Sequence, residues 1–109
     1  MARLTADFWV QAYLTRLRLA DIPAFVVARG DATAGAVLVK CSTLDGQAVA
    51  FQRRTDLMTG QAVWMELARG SEGDVDAAIT RQRGFDPDLW VIEVEDRAGR
   101  HLLDEPGLA

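Results

Sequence analysis

The chain has 109 residues, of which 50% are hydrophobic and 26% are charged, and its formal net charge is −4 at pH 7. This length and composition predict one globular domain over residues 1–109 and exclude a fibrous or an intrinsically disordered chain. The chain is acidic and its longest basic run is Arg53-Arg54, so we expect no nucleic-acid partner, because phosphate backbones are bound by clustered cations.

The first predicted element is an amphipathic helix near the N-terminus. Its apolar or small positions recur at helical spacing and form one face: Ala6, Trp9, Val10, Tyr13, Leu14, Leu17 and Ala20. Thr5 is placed to cap the helix, and Pro23 ends it because the residue before a proline is driven out of helical geometry. The polar face is not rich in lysine, so packing on a sheet explains the stripe better than binding to a membrane surface.

Short β-type runs follow, separated by turn residues. They span 24–29, 36–41, 48–53 and 62–67, with a glycine-punctuated turn at 30–35 and a further turn at 70–73. Residues 36–39 are all apolar, which predicts a central strand covered on both faces. The Asp45-Gly46 dipeptide predicts a tight hairpin and therefore antiparallel pairing of 36–41 with 48–53.

A second helix is predicted from Asp74, with acidic residues in its first turn and Gly84 as its C-terminal cap. The run 89–95 reads as a strand with Trp90, Ile92 and Val94 on one face. Gly99 then predicts a turn into a last short strand at 100–103, followed by a tail that frays.

The order of these elements predicts an α+β fold. We expect a mainly antiparallel mixed sheet of about five to six strands packed with two helices. Two arrangements stay open. Helices on both faces of the sheet give α/β/α layers, whereas helices on one face leave the other face to a partner.

Cys41 is the only cysteine of the chain. It cannot form an internal disulfide, and its apolar neighbourhood predicts a buried and inert thiol. No stretch reaches the roughly 18 to 20 apolar residues of a membrane-spanning helix, and the N-terminus does not lead into an apolar signal core. We therefore expect a cytoplasmic protein with no membrane partner.

Residues for catalysis or metal binding are scarce. The one histidine, His101, lies far from Cys41 in the sequence, which argues against a zinc site, and no serine lies in a nucleophile elbow. Glu93 and Glu95 share a strand face that could hold a divalent cation, but an exposed antiparallel face requires the same alternation. We predict no catalytic residue, no metal and no cofactor, and leave open whether the chain has enzymatic activity.

A ligand site is one hypothesis for the segment from Arg29 to Lys40. Gly30 and Gly35 have the spacing of a phosphate loop, but the lysine and the serine or threonine of that motif are missing. Lys40 is the only lysine. In an apolar cleft its pKa would fall and it could act as a base or bind an anion; alternatively, its side chain extends to solvent. The hypothetical ligand site consists of Arg29, Asp31, Lys40 and Arg81.

Protein interaction is the leading hypothesis. Residues 1–54 hold seven basic and four acidic side chains, whereas residues 55–109 hold five and twelve, and such asymmetry can guide one subunit onto another. Trp64 and Trp90 are candidate interface anchors. We expect a small cytoplasmic interaction or regulatory module, homodimeric through a sheet edge or the tryptophan-bearing surface. The alternative is a small-molecule or anion-binding protein, or a weak enzyme.

Three segments carry a family resemblance: Leu17–Pro23, Arg29–Lys40 and Arg81–Asp96. In their order along the chain they resemble an uncharacterised family of short bacterial proteins, a domain of unknown function. The resemblance covers nearly the whole chain. It implies a free-standing α+β protein with a sheet between helices, and it transfers no catalytic residue.

Overall fold

The computed structural model describes residues 4–108. The elements in chain order are α1 (Ala6–Leu19), β1 (Ala24–Ala28), β2 (Val37–Ser42), β3 (Gln47–Thr55), β4 (Ala62–Ser71), α2 (Glu72–Phe85) and β5 (Trp90–Glu95). The strands form one sheet in the order β1-β5-β2-β3-β4. Only the β2–β5 pair is parallel among the described strands. The predicted α+β fold is therefore confirmed, with five strands.

The two helices lie on opposite faces of the sheet. Val37, Val39 and Cys41 of β2 pack with α1, whereas Leu38 packs with α2. This alternation explains why residues 36–39 are apolar at every position, since β2 is covered on both sides. Neither of these helices, within residues 4–108, is long and apolar enough to cross a membrane.

Cys41 is fully buried in the α1-side core, as predicted. Burial, with a smaller contribution from the charge of Asp96, raises the pKa of its thiol to about 11. The thiolate is the reactive form of cysteine, so this thiol is chemically quiet at neutral pH.

The boundary between β4 and α2 differs from the prediction. β4 continues through Ser71, and α2 begins directly at Glu72, so the predicted turn at 70–73 is wrong. The Ser71 hydroxyl accepts a hydrogen bond from the Asp74 amide at 3.2 Å and caps the helix. At the other end, the prediction of Gly84 as a cap is also wrong, because α2 continues to Phe85 and its C-cap is Asp86.

The N-terminus of α1 is capped by another part of the chain. Thr5 occupies the cap position, but its hydroxyl donates to Asp7 and accepts no backbone hydrogen bond. The amides of Ala6 and Asp7 instead donate to the carbonyls of Thr33 and Ala32, at 3.1 and 2.9 Å. The predicted helix is correct, but its capping depends on the loop at 30–35.

The C-terminal segment 101–108 packs against the domain. Leu103 and Leu108 are buried, the Tyr13 hydroxyl donates to the carbonyl of His101 at 2.7 Å, and the Trp64 indole donates to the carbonyl of Leu108 at 2.9 Å. Residues 100–103 form no strand. The predicted strand and the predicted fraying tail are both wrong, because side-chain donors on α1 and β4 hold the carbonyls of this segment.

The helix α2 covers only part of its face of the sheet. It packs on β3 and β4, whereas β1 lies at the far edge, next to β5. Ala28 at the end of β1 still packs with the α2-side core, whereas Phe25 and Val27 are left about half exposed.

Candidate functional site

Lys40 lies within a cluster of three carboxylates. Its Nζ is 2.9 Å from Oδ1 of Asp76, 3.1 Å from Oε1 of Glu72 and 3.3 Å from Oε1 of Glu93, and the lysine side chain is only 6% exposed. Burial by itself lowers the pKa of Lys40, but hydrogen bonds to Asp76 and Glu72 and the charge of Glu93 together raise it above its ordinary value. The lysine stays protonated.

This cluster contradicts the predicted extension of the Lys40 side chain to solvent, whereas a role of Lys40 in binding an anion stays a prediction. The pKa of the lysine does not fall, so it is no general base, and its side chain does not extend to solvent. An ammonium group has three donor hydrogens, and here three carboxylates lie within reach of them. Glu93 forms an ion pair with Lys40 in this cluster. In residues 4–108, no group of His, Cys, Asp or Glu side chains is arranged to hold a metal ion.

The loop 30–35 is held by contacts within the protein. Oδ2 of Asp31 accepts hydrogen bonds from the amides of Thr33 and Ala34, at 3.2 and 2.8 Å. The carbonyl of Asp31 accepts from the indole of Trp90 at 2.8 Å. These amides would be the donors to a bound anion, so an anion would have to displace the Asp31 carboxylate.

The four residues of the hypothetical ligand site have different surroundings. The Arg29 guanidinium lies over the ring of Trp90, 5.2 Å from its centroid, so Arg29 and Asp31 meet at this tryptophan. Lys40 is held in its carboxylate cluster, and Arg81 is exposed on α2. Within residues 4–108, no hydrogen bond or ion pair joins Arg81 to the other three.

The two predicted interface tryptophans differ in burial. Trp90 is 1% exposed and belongs to the α1-side core, so it offers no surface to a partner. Trp64 is half-buried and lies 5.5 Å from Trp9 between ring centroids. An interface role for Trp64 stays a prediction.

The edge strand β1 exposes two large apolar side chains. Phe25 is 47% exposed and Val27 is 53% exposed, while Ala24 and Val26 pack toward α1. Sequence reasoning did not single these residues out. The run 24–28 is apolar throughout, but no local signal states that this strand lies at an edge.

The backbone of β1 offers hydrogen-bonding groups beyond the sheet. The carbonyl of Pro23 accepts from the Glu95 amide at 2.9 Å, and Phe25 pairs with Glu93. Backbone groups alternate in direction along an antiparallel pair, so those of Ala24 and Val26 point away from β5. A register shift between Val26 and Ala28 ends this regular stretch.

Charged residues flank the exposed strand. Asp21 precedes β1 and Arg29 follows it, and both are exposed. Across the sheet, Phe25 lies beside Glu93, which in turn lies beside Lys40. The apolar edge therefore adjoins the Lys40 carboxylate cluster, which carries three negative groups and one positive group.

Comparisons with known proteins identify a family and structurally similar relatives. The family model "Protein of unknown function (DUF1491)" matches residues 4–104. A crystal structure of a DUF1491 family protein from Caulobacter crescentus CB15 is 44% identical, with a TM-score of 0.82 over 94% of this chain and 95% of that one. An NMR structure of a DUF1491 family protein from the same organism gives 44% identity and a TM-score of 0.83, covering 97% of each chain.

A more distant relative has the same fold. The solution structure of protein Atu0922 from A. tumefaciens is 27% identical, with a TM-score of 0.74 over 86% of each chain. A search of curated proteins gives no match.

Proposed function

The chain belongs to the DUF1491 family of proteins of unknown function, and we propose that it is a small protein-interaction module whose docking surface is β1. The observation that carries the proposal is the exposure of Phe25 and Val27, 47% and 53%, on a strand at the sheet edge. A partner strand would bond to the backbone of Ala24 and Val26, and the two apolar side chains would supply the contact area.

The opposite edge supports this choice of strand. β4 also lies at an edge, but it carries the ion pair between Arg69 and Glu66, with an Nη2–Oε1 distance of 2.7 Å. Charged side chains on an edge strand discourage further strand pairing. β1 carries no charge between Ala24 and Ala28, so it is the edge that accepts a partner.

The hypothesis of a ligand site from Arg29 to Lys40 has weaker support. Lys40 is surrounded by carboxylates, and two amides of the loop 30–35 are bonded to Asp31. A cytoplasmic location remains part of the proposal, motivated by the single buried cysteine.

Photo-cross-linking in the cells that naturally express the protein tests the docking surface. A photoreactive amino acid replaces Val27 in one variant and Arg81, which is exposed on α2, in the control. We expect a defined protein adduct at position 27, absent at position 81 and lost when Phe25→Ser is added. Adducts of equal yield at both positions, or none at position 27, would reject the β1 docking surface.

A further inference from the structure

We infer that the space between α1 and the strands β3 and β4 is a peptide-binding groove. Segment 101–108, which we call the strap, fills this groove in the structure, and an acidic peptide of another protein can displace it. The groove lies on the α1 face of the sheet, whereas Phe25 and Val27 project from the other face. The inference therefore does not rest on the docking surface at β1.

Side chains of α1, β3 and β4 form the walls of the groove. Tyr13 of α1 and Trp64 of β4 donate hydrogen bonds to the carbonyls of His101 and Leu108, at 2.7 and 2.9 Å. Phe51 of β3 packs on the ring of His101, with 4.6 Å between the ring centroids. The strap itself forms neither helix nor strand. It thus lies between a helix and a sheet as an extended ligand does.

The hydrogen bonds from these walls go to main-chain carbonyls of the strap. Nη1 of Arg16 adds a third side-chain donor, 3.2 Å from the carbonyl of Pro106. Every peptide carries carbonyls, so this part of the recognition is independent of sequence. The sequence requirement comes from two anchors, Leu103 and Leu108, which are 4% and 3% exposed. A ligand of the groove therefore needs two aliphatic side chains five positions apart.

Cationic side chains next to the groove favour an acidic ligand. Nη1 of Arg16 lies 3.6 Å from Oε2 of Glu105, and the guanidinium of Arg53 lies over the ring of Trp9, 5.7 Å from its centroid. Between its two anchors the strap carries Asp104 and Glu105 and no cation. Complementary charge selects partners at an interface, so we expect acidic residues between the two anchors of the partner peptide.

The groove contains a hydrogen-bond donor that the strap does not use. Trp9 is 3% exposed, and its ring centroid lies 5.0 Å from that of Tyr13 and 5.5 Å from that of Trp64. In residues 4–108, its indole N–H has no hydrogen-bond partner. A buried donor without an acceptor is unfavourable. A ligand with a carbonyl at this point would satisfy the donor, and this observation points to an occupant other than the strap.

The backbone of the strap is strained at one residue. Leu102 has a φ of 61°, in the left-handed region that is unfavourable for a residue with a Cβ. A free peptide can place two aliphatic anchors in the groove without this strain. The strap is covalently attached, however, and competes at a high effective concentration. We therefore expect peptides to bind the wild type weakly and to bind better when the strap is weakened.

Fluorescence anisotropy of a labelled synthetic peptide with the sequence 101–108 tests the groove in the full-length protein. Leu103→Ser weakens the strap, and Leu57→Ser, at a position that is 96% exposed, is the control. The peptide should bind Leu103→Ser about tenfold more tightly than wild type, because more of the protein has an open groove. The control should match wild type. Equal affinities, or no binding to Leu103→Ser, overturn the inference.

Two further titrations test the recognition, both with the Leu103→Ser protein. Adding Trp64→Phe keeps an aromatic ring but removes the indole donor, and should weaken binding about fivefold. A peptide with lysine at the positions of Asp104 and Glu105 should bind about tenfold more weakly, and the difference should shrink at high salt. Unchanged affinity in the first titration overturns the carbonyl recognition, and in the second it overturns the acidic ligand.

Hydrogen exchange of the wild type tests displacement without any substitution. The amides of Leu103 and Leu108 are hydrogen-bonded within the strap. They should exchange about 100-fold faster than the amides of β2, because the strap opens while the sheet stays folded. Equal protection of the strap and β2 would show that the strap leaves only on global unfolding, which overturns the inference.

Light scattering separates a foreign peptide from a second copy of the chain. Exchange of straps between two copies would give a wild-type dimer that Leu103→Ser dissociates, and this result would overturn the foreign peptide as the occupant. A wild type that stays monomeric while its groove binds the peptide supports it. Neither result bears on the cross-linking at position 27, so this inference and the β1 docking surface fail separately.

Discussion

Lys40 of β2 and Asp76 of α2 form an ion pair in which Nζ and Oδ1 are 2.9 Å apart. The same ammonium reaches Glu72 of α2 and Glu93 of β5, so a single side chain joins the central strand to a helix and to the neighbouring strand. Val75 and Ile79 are the buried residues of α2 among those described. The ion cluster therefore joins α2 to the sheet beside the apolar contacts of Val75 and Ile79.

Replacing Lys40 by methionine should destabilise the protein by about 2–4 kcal/mol, because three carboxylates would remain around an apolar side chain. Urea unfolding measures the change. Arg69→Met, which breaks an exposed ion pair, is the control and should cost at most about 1 kcal/mol. Similar losses for both variants would show that the Lys40 cluster contributes no more than a surface pair.

The pH dependence of the Lys40 contribution has a definite direction. The pKa of Lys40 is higher in the folded protein than in the unfolded chain, so the stabilisation is complete at neutral pH and is lost only as strongly alkaline pH is approached. The stability difference between wild type and Lys40→Met should stay constant from neutral pH to about pH 9. A difference that shrinks within this range would contradict the raised pKa.

Two glycine substitutions should change stability in opposite directions. A Cβ at Gly30 would overlap the carbonyl oxygen of Asp88 and lie 2.6 Å from Cδ1 of Trp90, so Gly30→Ala should destabilise by about 1–3 kcal/mol. A Cβ at Gly84 meets nothing within 4 Å, and Gly84→Ala should stabilise α2 by up to about 1 kcal/mol. Thermal unfolding of both variants measures the two changes in stability. A destabilising Gly84→Ala would indicate that the helix ends before this residue.

Leu103→Ala should destabilise the protein by about 2–4 kcal/mol, since Leu103 is 4% exposed in the α1-side core. Denaturant unfolding gives the value. Leu57→Ala is a matched control, because Leu57 is 96% exposed and its truncation removes no core contact. If Leu103→Ala has as little effect as the control, the C-terminal segment does not pack as described.

His101 should make stability depend on mildly acidic pH. Burial lowers its pKa below the ordinary 6.5, although Asp104 opposes the shift. Nδ1 accepts a hydrogen bond from the Leu103 amide at 3.0 Å, and the ring lies 4.6 Å from that of Phe51 between centroids. As the pH falls, His101 therefore takes up a proton in the unfolded chain before it does so in the folded protein. Neutral His101 contributes to the free energy of unfolding above about pH 6.5, and this contribution is lost as the pH falls through the pKa of the folded protein.

His101→Asn separates this contribution from that of the carboxylates, because the amide oxygen can accept the Leu103 hydrogen bond without titrating. Between pH 7 and about pH 5 the wild type should lose more unfolding free energy than the variant. Chemical denaturation at each pH measures both. Parallel curves would mean that His101 titrates alike in the folded and unfolded states.

Local patterns predicted several elements correctly because their causes are local. The apolar stripe from Ala6 to Leu17 reflects the period of a helix, and Asp45-Gly46 forms the turn between β2 and β3. The apolar run 36–39 matches a strand covered on both faces. Such signals depend on backbone geometry within a few residues. Local signals could not predict that segment 101–108 packs on the domain. The side chains that donate hydrogen bonds to its carbonyls, Tyr13 and Trp64, lie far from it in the sequence.

The sequence by itself determined the helices, the central strand and its hairpin, since periodicity and turn chemistry are properties of neighbouring residues. Only the tertiary structure decided that β5 lies between β1 and β2, which leaves β1 at the edge and exposes Phe25. It also decided that Lys40 meets Glu72, Asp76 and Glu93. Strand order and ion pairing arise because segments that are distant in the sequence compete for the same partners. A local sequence pattern therefore does not predict which segments pair.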